Sequence, residues 1–194
     1  MAETWEDSQK MEAGFWGTCA NTYGEETKQL LYMKKMGFEV SGDGRSPFSY
    51  NGKGLSYLDV GGGPVSVLLK FRNASRRIVV DPCPYPSWVF ERYRTEGIEV
   101  LRTSGEDLIH STPMAVDVAL IYNVLQHVFE PKTVVRNAML ASKTLHMFEW
   151  IDLPPHPGHP HCLTKEALEH WSGQKGTVEQ FSGCNECYGK AWFV

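Results

Sequence analysis

The sequence has 194 residues, the size of one ordinary domain, with 42% hydrophobic residues, 22% charged residues and a net charge of −4. The hydrophobic content excludes a disordered chain. The slight acidic excess shows that the strongly basic footprint of a protein that tracks phosphate backbones is absent, which leaves a local basic patch as an open alternative. No run approaches the roughly 20 apolar residues that cross a bilayer, and the N-terminus does not resemble a signal peptide. The five cysteines, an odd number, suit a reducing compartment. A cytoplasmic protein without membrane or nucleic-acid partners is therefore expected.

Residues 1–54 are predicted to form an N-terminal arm that carries one helix. Residues 1–20 show no periodicity that would indicate a core element, so we interpret them as irregular. Thr22 and Glu25 have the spacing of a capping box and Gly37 is a suitable stop, which predicts a helix near 23–36. Residues 41–54 are rich in Gly, Ser, Asn and Pro and are predicted to be a loop.

From residue 55 onward, strand-length apolar runs alternate with helix-like segments. The runs cover 55–60, 77–81, 98–102, 116–122 and 144–150, and helices are predicted over 64–72, 87–96 and 131–142. This alternation predicts an α/β, Rossmann-like, doubly wound and mostly parallel sheet with helices on both faces. A short helix at 164–171 and strand-like segments at 177–181 and 190–194 predict a C-terminal antiparallel strand pair at the sheet edge.

Ligands of open α/β sheets bind at the carboxyl ends of the strands, where this sequence has distinctive residues. The first predicted strand runs into Gly61, Gly62 and Gly63, which allow a sharp turn and a close approach to a ligand. Asp81 closes the second strand 20 residues after Gly61, where such sheets place an acid for ribose hydroxyls. A P-loop pattern is absent, and Ser66 stands where a dinucleotide motif needs its last glycine.

Together with the segments at 58–63, 79–81, 104–108, 117–122 and 124–131, these residues resemble the class I S-adenosylmethionine-dependent methyltransferases, most closely the small type 11 group. The resemblance covers roughly residues 55–150, and the stretch 160–166 is similar to the one after the family's fifth strand. It implies S-adenosyl-L-methionine as cofactor and S-adenosyl-L-homocysteine as product. It also implies a methyltransferase-like domain over 55–194, preceded by the arm and lid helix at 1–54.

The resemblance assigns a role to each strand end. The implied cofactor-binding residues are Asp59, Gly61, Gly62, Gly63, Asp81, Ser104, Gly105, Glu106, Asn123 and Val124. Asp59 would reach the amino end of the methionine moiety, the glycines would approach the cofactor, and Asp81 would bind both ribose hydroxyls. Ser104 and Gly105 would bind adenine; in an alternative alignment with the family, Glu106 would take this role. Asn123 and Val124 would flank the methionine part of the cofactor.

Two departures from the family pattern affect these assignments. Pro64 and Val65 stand where a third glycine is usual, which predicts a tighter turn or a displaced cofactor. Ser104 stands where many relatives carry Asp, which removes one charged acceptor for adenine.

Five residues are candidates for catalysis and acceptor binding. His127 follows the fourth strand and has the intrinsic pKa range of a general base, although it could instead cap or pack at a helix start. Glu149, a second catalytic candidate, and Trp150 close the fifth strand, where they could equally be structural. Trp16 and Tyr23 in the N-terminal lid, together with Trp150, are predicted to bind the acceptor.

The acceptor itself stays open, as does the oligomeric state. The aromatic arm and the acidic balance favour a small molecule. Base methyltransferases usually have Asp/Asn-Pro-Pro-aromatic after the fourth strand, and residues 122–125 lack this motif, which argues against a nucleic-acid acceptor. A nucleic-acid or protein acceptor is kept as the alternative. Another hypothesis is a cofactor-binding regulatory or partner subunit without turnover, and a third is use of the cofactor for other chemistry.

A zinc site near the C-terminus competes with these interpretations. The ligand candidates are His156, His159, His161, Cys162, Cys184 and Cys187. Cys-x-x-Cys is a favoured zinc spacing, but the histidine spacing follows no standard finger. We therefore predict no metal and interpret these residues as a Pro/His loop and free thiols.

Overall fold

The computed structural model describes residues 5–16, 25–41, 48–111, 115–156, 158–184 and 187–194. The helices of this part are α1 (Trp5–Trp16), α2 (Glu25–Lys35), α3 (Ser87–Thr95), α4 (Leu108–Ser111), α5 (Pro131–Ala141) and α6 (Lys165–Ser172), with a 3₁₀ helix over Val67–Lys70. The strands are β1 (Val40–Ser41), β2 (Ser49–Asn51), β3 (Ser56–Val60), β4 (Phe71–Arg72), β5 (Arg76–Val80), β6 (Glu99–Leu101), β7 (Val116–Tyr122), β8 (Ser142–Ile151), β9 (Thr177–Cys184) and β10 (Cys187–Phe193).

Seven strands form the main sheet in the order β6-β5-β3-β7-β8-β10-β9. Every pairing from β6 to β8 is parallel, whereas β10 is antiparallel to both β8 and β9. The winding reverses between β3 and β7, so a crevice forms at the carboxyl ends of these two strands. The predicted doubly wound sheet and its terminal antiparallel pair are confirmed.

Hydrophobic cores cover both faces of this sheet. One core joins α2, the 3₁₀ helix and α3 to residues such as Tyr57 and Val79, and the other joins α4, α5 and α6 to residues such as Leu58 and Ile78. Neighbouring residues of one strand thus belong to opposite cores, which is why the strands read as continuous apolar runs. The predicted helices on both faces are confirmed.

The predicted helix over 64–72 is wrong. The chain forms only the 3₁₀ helix and then β4, which pairs in parallel with β2. Phe71 is extended because its ring packs against Tyr50 and Tyr57, with ring centroids 5.4 and 4.5 Å apart. The Arg77 guanidinium donates to the carbonyls of Leu68 and Phe71, which satisfies backbone acceptors that a longer helix would have used.

The N-terminal prediction also needs correction. Residues 5–16, interpreted as irregular, form helix α1, and the predicted loop at 41–54 contains the end of β1 and all of β2, two strands of a small three-stranded sheet. Helix α1 has few apolar residues, so its sequence lacks a clear helical period, and its position depends on contacts with distant loops. Tyr32 and Met33 of α2 are buried in the main core. The boundary at 54/55 stays a prediction.

The other predicted helices and strands are confirmed, and each of their described ends lies within three residues of the predicted one. Between residues 102 and 116, where no element was predicted, the chain forms α4. The start of the predicted helix at 23–36 lies outside the described residues. Every helix in the described ranges is too short or too polar to cross a membrane.

Candidate functional site

A cavity of about 560 Å³ opens at the carboxyl ends of β3, β5 and β7, with α1 and α2 contributing to its wall. Most predicted site residues line it: Trp16, Gly61, Gly62, Gly63, Asp81, Ser104, Gly105, Glu106, Asn123, Val124, His127 and Trp150. Asp59 and Glu149 do not line the cavity but lie behind its wall. Tyr23 is outside the described residues. The fold therefore brings twelve of the fifteen predicted residues together on one cavity wall.

Asp81 follows β5 and is held in one orientation by the backbone. One carboxylate oxygen accepts a hydrogen bond from the Gly63 N–H and the other from the Cys83 N–H, both at 2.9 Å. A carboxylate oxygen has two lone pairs, so each of these oxygens can take more than one hydrogen bond. Its 8% exposure leaves it in contact with the cavity while shielding it from bulk water.

Asp59 supports the glycine turn from inside the protein. It is fully buried, and one of its oxygens accepts hydrogen bonds from the hydroxyls of Ser66 at 2.5 Å and Tyr122 at 2.6 Å. Its other oxygen has no hydrogen-bond partner within the described ranges. Burial raises the pKa of Asp59 to about 7. Asp59 thus holds the turn in place instead of forming the cavity surface.

Position 61 requires a glycine for two reasons: its backbone conformation is left-handed, and there is no room for a Cβ atom. Its φ is +73°, and a Cβ added there would lie 2.6 Å from a methyl carbon of Val124. We expect Gly61→Ala to lower the free energy of unfolding by about 2–4 kcal/mol, of which left-handed strain accounts for about 1–2 kcal/mol. Urea denaturation of Gly61→Ala, with and without Val124→Ala, separates the steric part, because the second substitution relieves only the clash.

Gly54 provides the matched control for this prediction. It has the same φ of +73°, but an added Cβ there would meet nothing within 4 Å. Gly54→Ala should therefore show only the conformational cost. Equal destabilisation by Gly54→Ala and Gly61→Ala would contradict the close packing of Gly61 against Val124.

The loop after β6 is tied to the loop before α5. The Glu106 carboxylate accepts hydrogen bonds from the N–H groups of Phe129 and Glu130 at 2.9 and 3.0 Å. The Ser104 hydroxyl donates to the Asp107 carboxylate at 3.0 Å. Both predicted adenine-binding side chains thus have protein partners, and the backbone carbonyls of Gly105 and Glu106 accept from the Asn137 amide.

The turn after β7 depends on Glu149. The buried Glu149 carboxylate accepts hydrogen bonds from the N–H groups of Val124 and Leu125, each with a shortest distance of 3.1 Å. Burial raises the pKa of Glu149 to about 8. Because Glu149 lies behind the wall, its predicted direct catalytic role is not supported by its position. It instead positions the segment that presents Asn123 and Val124 to the cavity.

His127 lies on the cavity wall in a fixed orientation. Its Nδ1 is 2.8 Å from the carbonyl oxygen of Gly158, which can only accept, so Nδ1 carries the proton. The Nε2 lone pair accepts a long hydrogen bond from the Gln126 amide nitrogen at 3.4 Å. Burial lowers the pKa of His127 to about 4, so the ring is neutral near pH 7. His159 stands edge-on to it, with the ring centroids 4.3 Å apart.

The histidine-rich loop does not assemble a metal site from its described residues. His156 and His159 pair through reciprocal backbone hydrogen bonds, while His161 Nε2 lies 2.8 Å from the Val128 carbonyl oxygen. Cys162 is an exposed free thiol. The side chains of Cys184 and Cys187 are outside the described part of the chain; among the side chains that the structure describes, no three of His, Cys, Asp or Glu are grouped to hold a metal ion. The loop instead contributes His156, Gly158 and His159 to the cavity.

Several cavity residues were missed by sequence reasoning. They are Trp5, Gln9, Met11, Cys83, Tyr85, Leu153, His156, Gly158 and His159. Phe15, Lys28 and Tyr32, which also line the cavity, lie in the N-terminal arm and lid helix that the sequence predicted. Helix α1 reaches the loop after β5, where the Cys83 thiol lies 3.8 Å from the Gln9 carbonyl oxygen. The aromatic residues at both ends of α1 were the available signal, but their contacts join parts of the chain that are distant in sequence.

No protein-family model matches the sequence, and no curated protein matches it either. Among solved structures, N-methyltransferase NodS from Bradyrhizobium japonicum, in complex with S-adenosyl-L-homocysteine, is similar with a TM-score of 0.63, 14% identity and 96% of each chain covered. The 1,6-didemethyltoxoflavin-N1-methyltransferase of Burkholderia thailandensis has a TM-score of 0.59 and 14% identity, covering 97% of this chain and 85% of its own. The [4+2]-cyclase SpnF has a TM-score of 0.50 and 18% identity, covering 64% and 52%.

At these identities the similarity concerns the fold, and the type 11 subgroup stays a prediction. The strand order and the cavity at the carboxyl ends of the strands agree with the structural similarities. The chain therefore has the fold of the class I S-adenosylmethionine-dependent methyltransferases.

Proposed function

We propose that this chain is a cytoplasmic methyltransferase that uses S-adenosyl-L-methionine to methylate a small molecule. The observation that carries the proposal is the Asp81 carboxylate, which two backbone N–H groups fix beside the glycine turn at the sheet's reversal point. An orientated acid at this place suits two neighbouring ribose hydroxyls.

The residues present fit such a cofactor. The glycine turn gives the cavity a wall without side chains, and the loop at 104–106 lines the same cavity. Asn123 and Val124, in the turn after β7, form another part of the cavity wall. The Glu149 carboxylate fixes this turn by accepting hydrogen bonds from the N–H groups of Val124 and Leu125.

When bound, S-adenosyl-L-methionine supplies a methyl carbon whose bond to sulfur breaks as an acceptor lone pair forms the new bond. The protein must therefore orient the acceptor atom and exclude water. His127 suits the first task, because an N–H or O–H nucleophile can replace the long 3.4 Å contact from the Gln126 amide nitrogen to the Nε2 lone pair. The low pKa of His127 makes it a weak base, so its main contribution would be orientation.

Two observations support a small-molecule acceptor. The cavity is bounded by α1 and α2, which leaves a volume of about 560 Å³, within the usual range for small ligands. Two of the similar structures are named for N-methyltransferases, and one of them is bound to 1,6-didemethyltoxoflavin, a small molecule.

The test is calorimetric titration with S-adenosyl-L-methionine and S-adenosyl-L-homocysteine, followed by detection of S-adenosyl-L-homocysteine formed with a panel of acceptors. We expect both compounds to bind and a subset of acceptors to be methylated. Absence of binding would refute the proposal. Binding without turnover would favour a regulatory subunit or a reaction other than methyl transfer. The second of these outcomes has to be considered because one of the similar structures is named as a [4+2]-cyclase.

His127→Gln should lower kcat about 100-fold through loss of orientation and proton acceptance, while leaving cofactor affinity within about twofold. His170→Gln on the exposed surface of α6 is the control.

Because the folded pKa of His127 is about 4, kcat should be flat between about pH 6 and 8 and fall only in more acidic solution. A kcat inflection near pH 6.5 that disappears in His127→Gln would contradict the buried, neutral state of this histidine.

A further inference from the structure

Side chains of two helices hold the end of the glycine turn. Three consecutive carbonyl oxygens, at residues 63–65, each accept a hydrogen bond from a side chain of α2 or α3. The three pairs are Tyr93 with Gly63 at 2.6 Å, Arg92 with Pro64 at 3.2 Å, and Gln29 with Val65. Gln29, Arg92 and Tyr93 together form a carbonyl clamp on this stretch of backbone.

Tyr93 makes two of the hydrogen bonds that hold the stretch. Besides donating to the Gly63 carbonyl, its hydroxyl accepts from the Ser66 N–H at 2.8 Å, so it joins the two ends of the segment 63–66. Tyr93 is 1% exposed, so bulk water cannot take the place of its hydroxyl. Burial raises the pKa of Tyr93 well above its ordinary value, so the hydroxyl keeps its proton and stays a donor near neutral pH.

Gly63 links the clamp to Asp81. The Gly63 carbonyl accepts from Tyr93, while the Gly63 N–H donates to the Asp81 carboxylate at 2.9 Å. The φ of Gly63 is +62°, and a Cβ added there would meet nothing closer than the Tyr85 hydroxyl at 4.0 Å. Packing therefore leaves this glycine much of its conformational freedom, and its two hydrogen bonds determine where its N–H points.

The clamp acts where the sequence departs from the family pattern. Pro64 and Val65 stand in place of a third glycine, which predicts a tighter turn or a displaced cofactor. Both residues line the cavity, whereas Arg92 and Tyr93 are outside its lining. The two α3 side chains thus hold this stretch without occupying space in the cavity.

We propose that the carbonyl clamp positions Asp81, through Gly63, for the ribose hydroxyls of the cofactor. Tyr93 is the principal positioning residue, and Arg92 supports it through the neighbouring carbonyl. The inference rests on the methyltransferase function proposed above and extends its cofactor site to two side chains of α3 that do not line the cavity. A residue that acts in this way affects the recognition of the ribose hydroxyls and not only the stability of the fold.

The probes are S-adenosyl-L-homocysteine and its 2′,3′-dideoxy analogue, each titrated by calorimetry. The analogue lacks both hydroxyls that Asp81 would bind, so the parent protein should bind it about 100-fold more weakly. Tyr93→Phe removes the hydroxyl and keeps the ring. This variant should bind S-adenosyl-L-homocysteine about 10-fold more weakly than the parent and the analogue within about twofold, because the analogue makes no use of the position of Asp81.

Tyr57→Phe is the matched contrast for Tyr93→Phe. The Tyr57 hydroxyl is also buried and also donates to a glycine carbonyl, that of Gly52 at 3.3 Å. Gly52 does not line the cavity. Loss of the Tyr57 hydroxyl should therefore lower the melting temperature while both affinities stay within about twofold of the parent values.

A pair of arginine variants tests the clamp at a less buried position. Arg92→Leu removes the donor to Pro64 and keeps an apolar contact with Trp88, over whose ring the guanidinium lies at 4.9 Å. It should weaken S-adenosyl-L-homocysteine binding about three- to fivefold and leave the dideoxy analogue within about twofold. Arg94→Leu removes the same charge from the same turn of α3, where Arg94 is exposed and pairs with Glu91 at 3.0 Å. Its two affinities should equal those of the parent.

The outcomes separate the two proposals. If Tyr93→Phe weakens both ligands by the same factor, or neither, the positioning role is overturned and the proposed function stands. A parent protein that binds both ligands equally would overturn it too, since the ribose hydroxyls would then make no contact that Asp81 could provide. If Tyr93→Phe does not fold, the arginine pair decides, and equal affinities of Arg92→Leu and Arg94→Leu would overturn the clamp. Failure of the parent to bind S-adenosyl-L-homocysteine would overturn the proposed function itself.

Discussion

Replacing Asp81 by asparagine is expected to weaken binding of S-adenosyl-L-homocysteine about 100-fold or more, because two charge-assisted hydrogen bonds of about 1.5–3 kcal/mol each are lost or weakened. The amide has one acceptor oxygen where the carboxylate has two. That oxygen can satisfy either the Gly63 or the Cys83 N–H, and the amide nitrogen would face the other donor. The substitution therefore removes both the ligand acceptors and the geometry that presents them. Calorimetry measures the change directly.

Asp152→Asn is the control for this prediction. Asp152 directly follows β8, is exposed, and pairs with Lys190 at 3.0 Å. Its φ of +59° is a conformation that asparagine also tolerates, so the variant should fold and bind normally. If Asp81→Asn bound S-adenosyl-L-homocysteine as tightly as Asp152→Asn, then Asp81 would not contact the cofactor and the site assignment would fail.

The part of the site that the sequence predicted lies at the strand ends. Apolar runs locate the parallel strands, and the residue after each strand must then lie at one edge of the sheet whatever the loops do. This is why Gly61, Asp81, Ser104 and Asn123, spread over 63 residues of sequence, line one cavity. Their positions follow from local patterns combined with one topological rule.

The missed part depends on contacts that no local pattern records. Helix α1 is held by loops far along the chain, and β4 forms because Phe71 packs against Tyr50 and Tyr57. The role of Glu149 likewise depends on hydrogen bonds to a turn about 25 residues earlier in the chain. A strand-end acid that lines a cavity and one that supports its wall look alike in sequence, and only the direction of the side chain separates Asp81 from Glu149.

Glu149 should make the stability of the protein fall as the pH rises. Its pKa is about 8 in the folded state, against an ordinary value of 4.5, so the folded protein holds the proton more tightly than the unfolded chain. The stabilisation is fully present below about pH 4.5, decreases as the pH rises, and is lost above about pH 8. The pKa shift corresponds to a decrease in the free energy of unfolding on the order of 5 kcal/mol between the lower and the upper end of this pH range.

Glu149→Gln removes this titration but keeps an oxygen that can accept from Val124 and Leu125. Relative to the parent protein, this variant should therefore gain stability with rising pH and exceed the parent near pH 9. Glu149→Leu leaves both N–H groups unpaired and should cost about 2–4 kcal/mol even at pH 9, where the parent has lost the contribution of the protonated acid. Urea denaturation at pH 5.5, 7 and 9 measures all three proteins.

The comparison between parent and variant at each pH is needed because Asp59 titrates in the same direction, with a pKa raised to about 7. Its contribution is common to both proteins and cancels in the difference. Parallel stability curves for the parent and Glu149→Gln would show that Glu149 is ionised throughout and that its two N–H donors outweigh burial. A rising difference would instead establish a neutral acid behind the cavity wall, held there to fix the turn after β7 without adding a negative charge beside the proposed acceptor site.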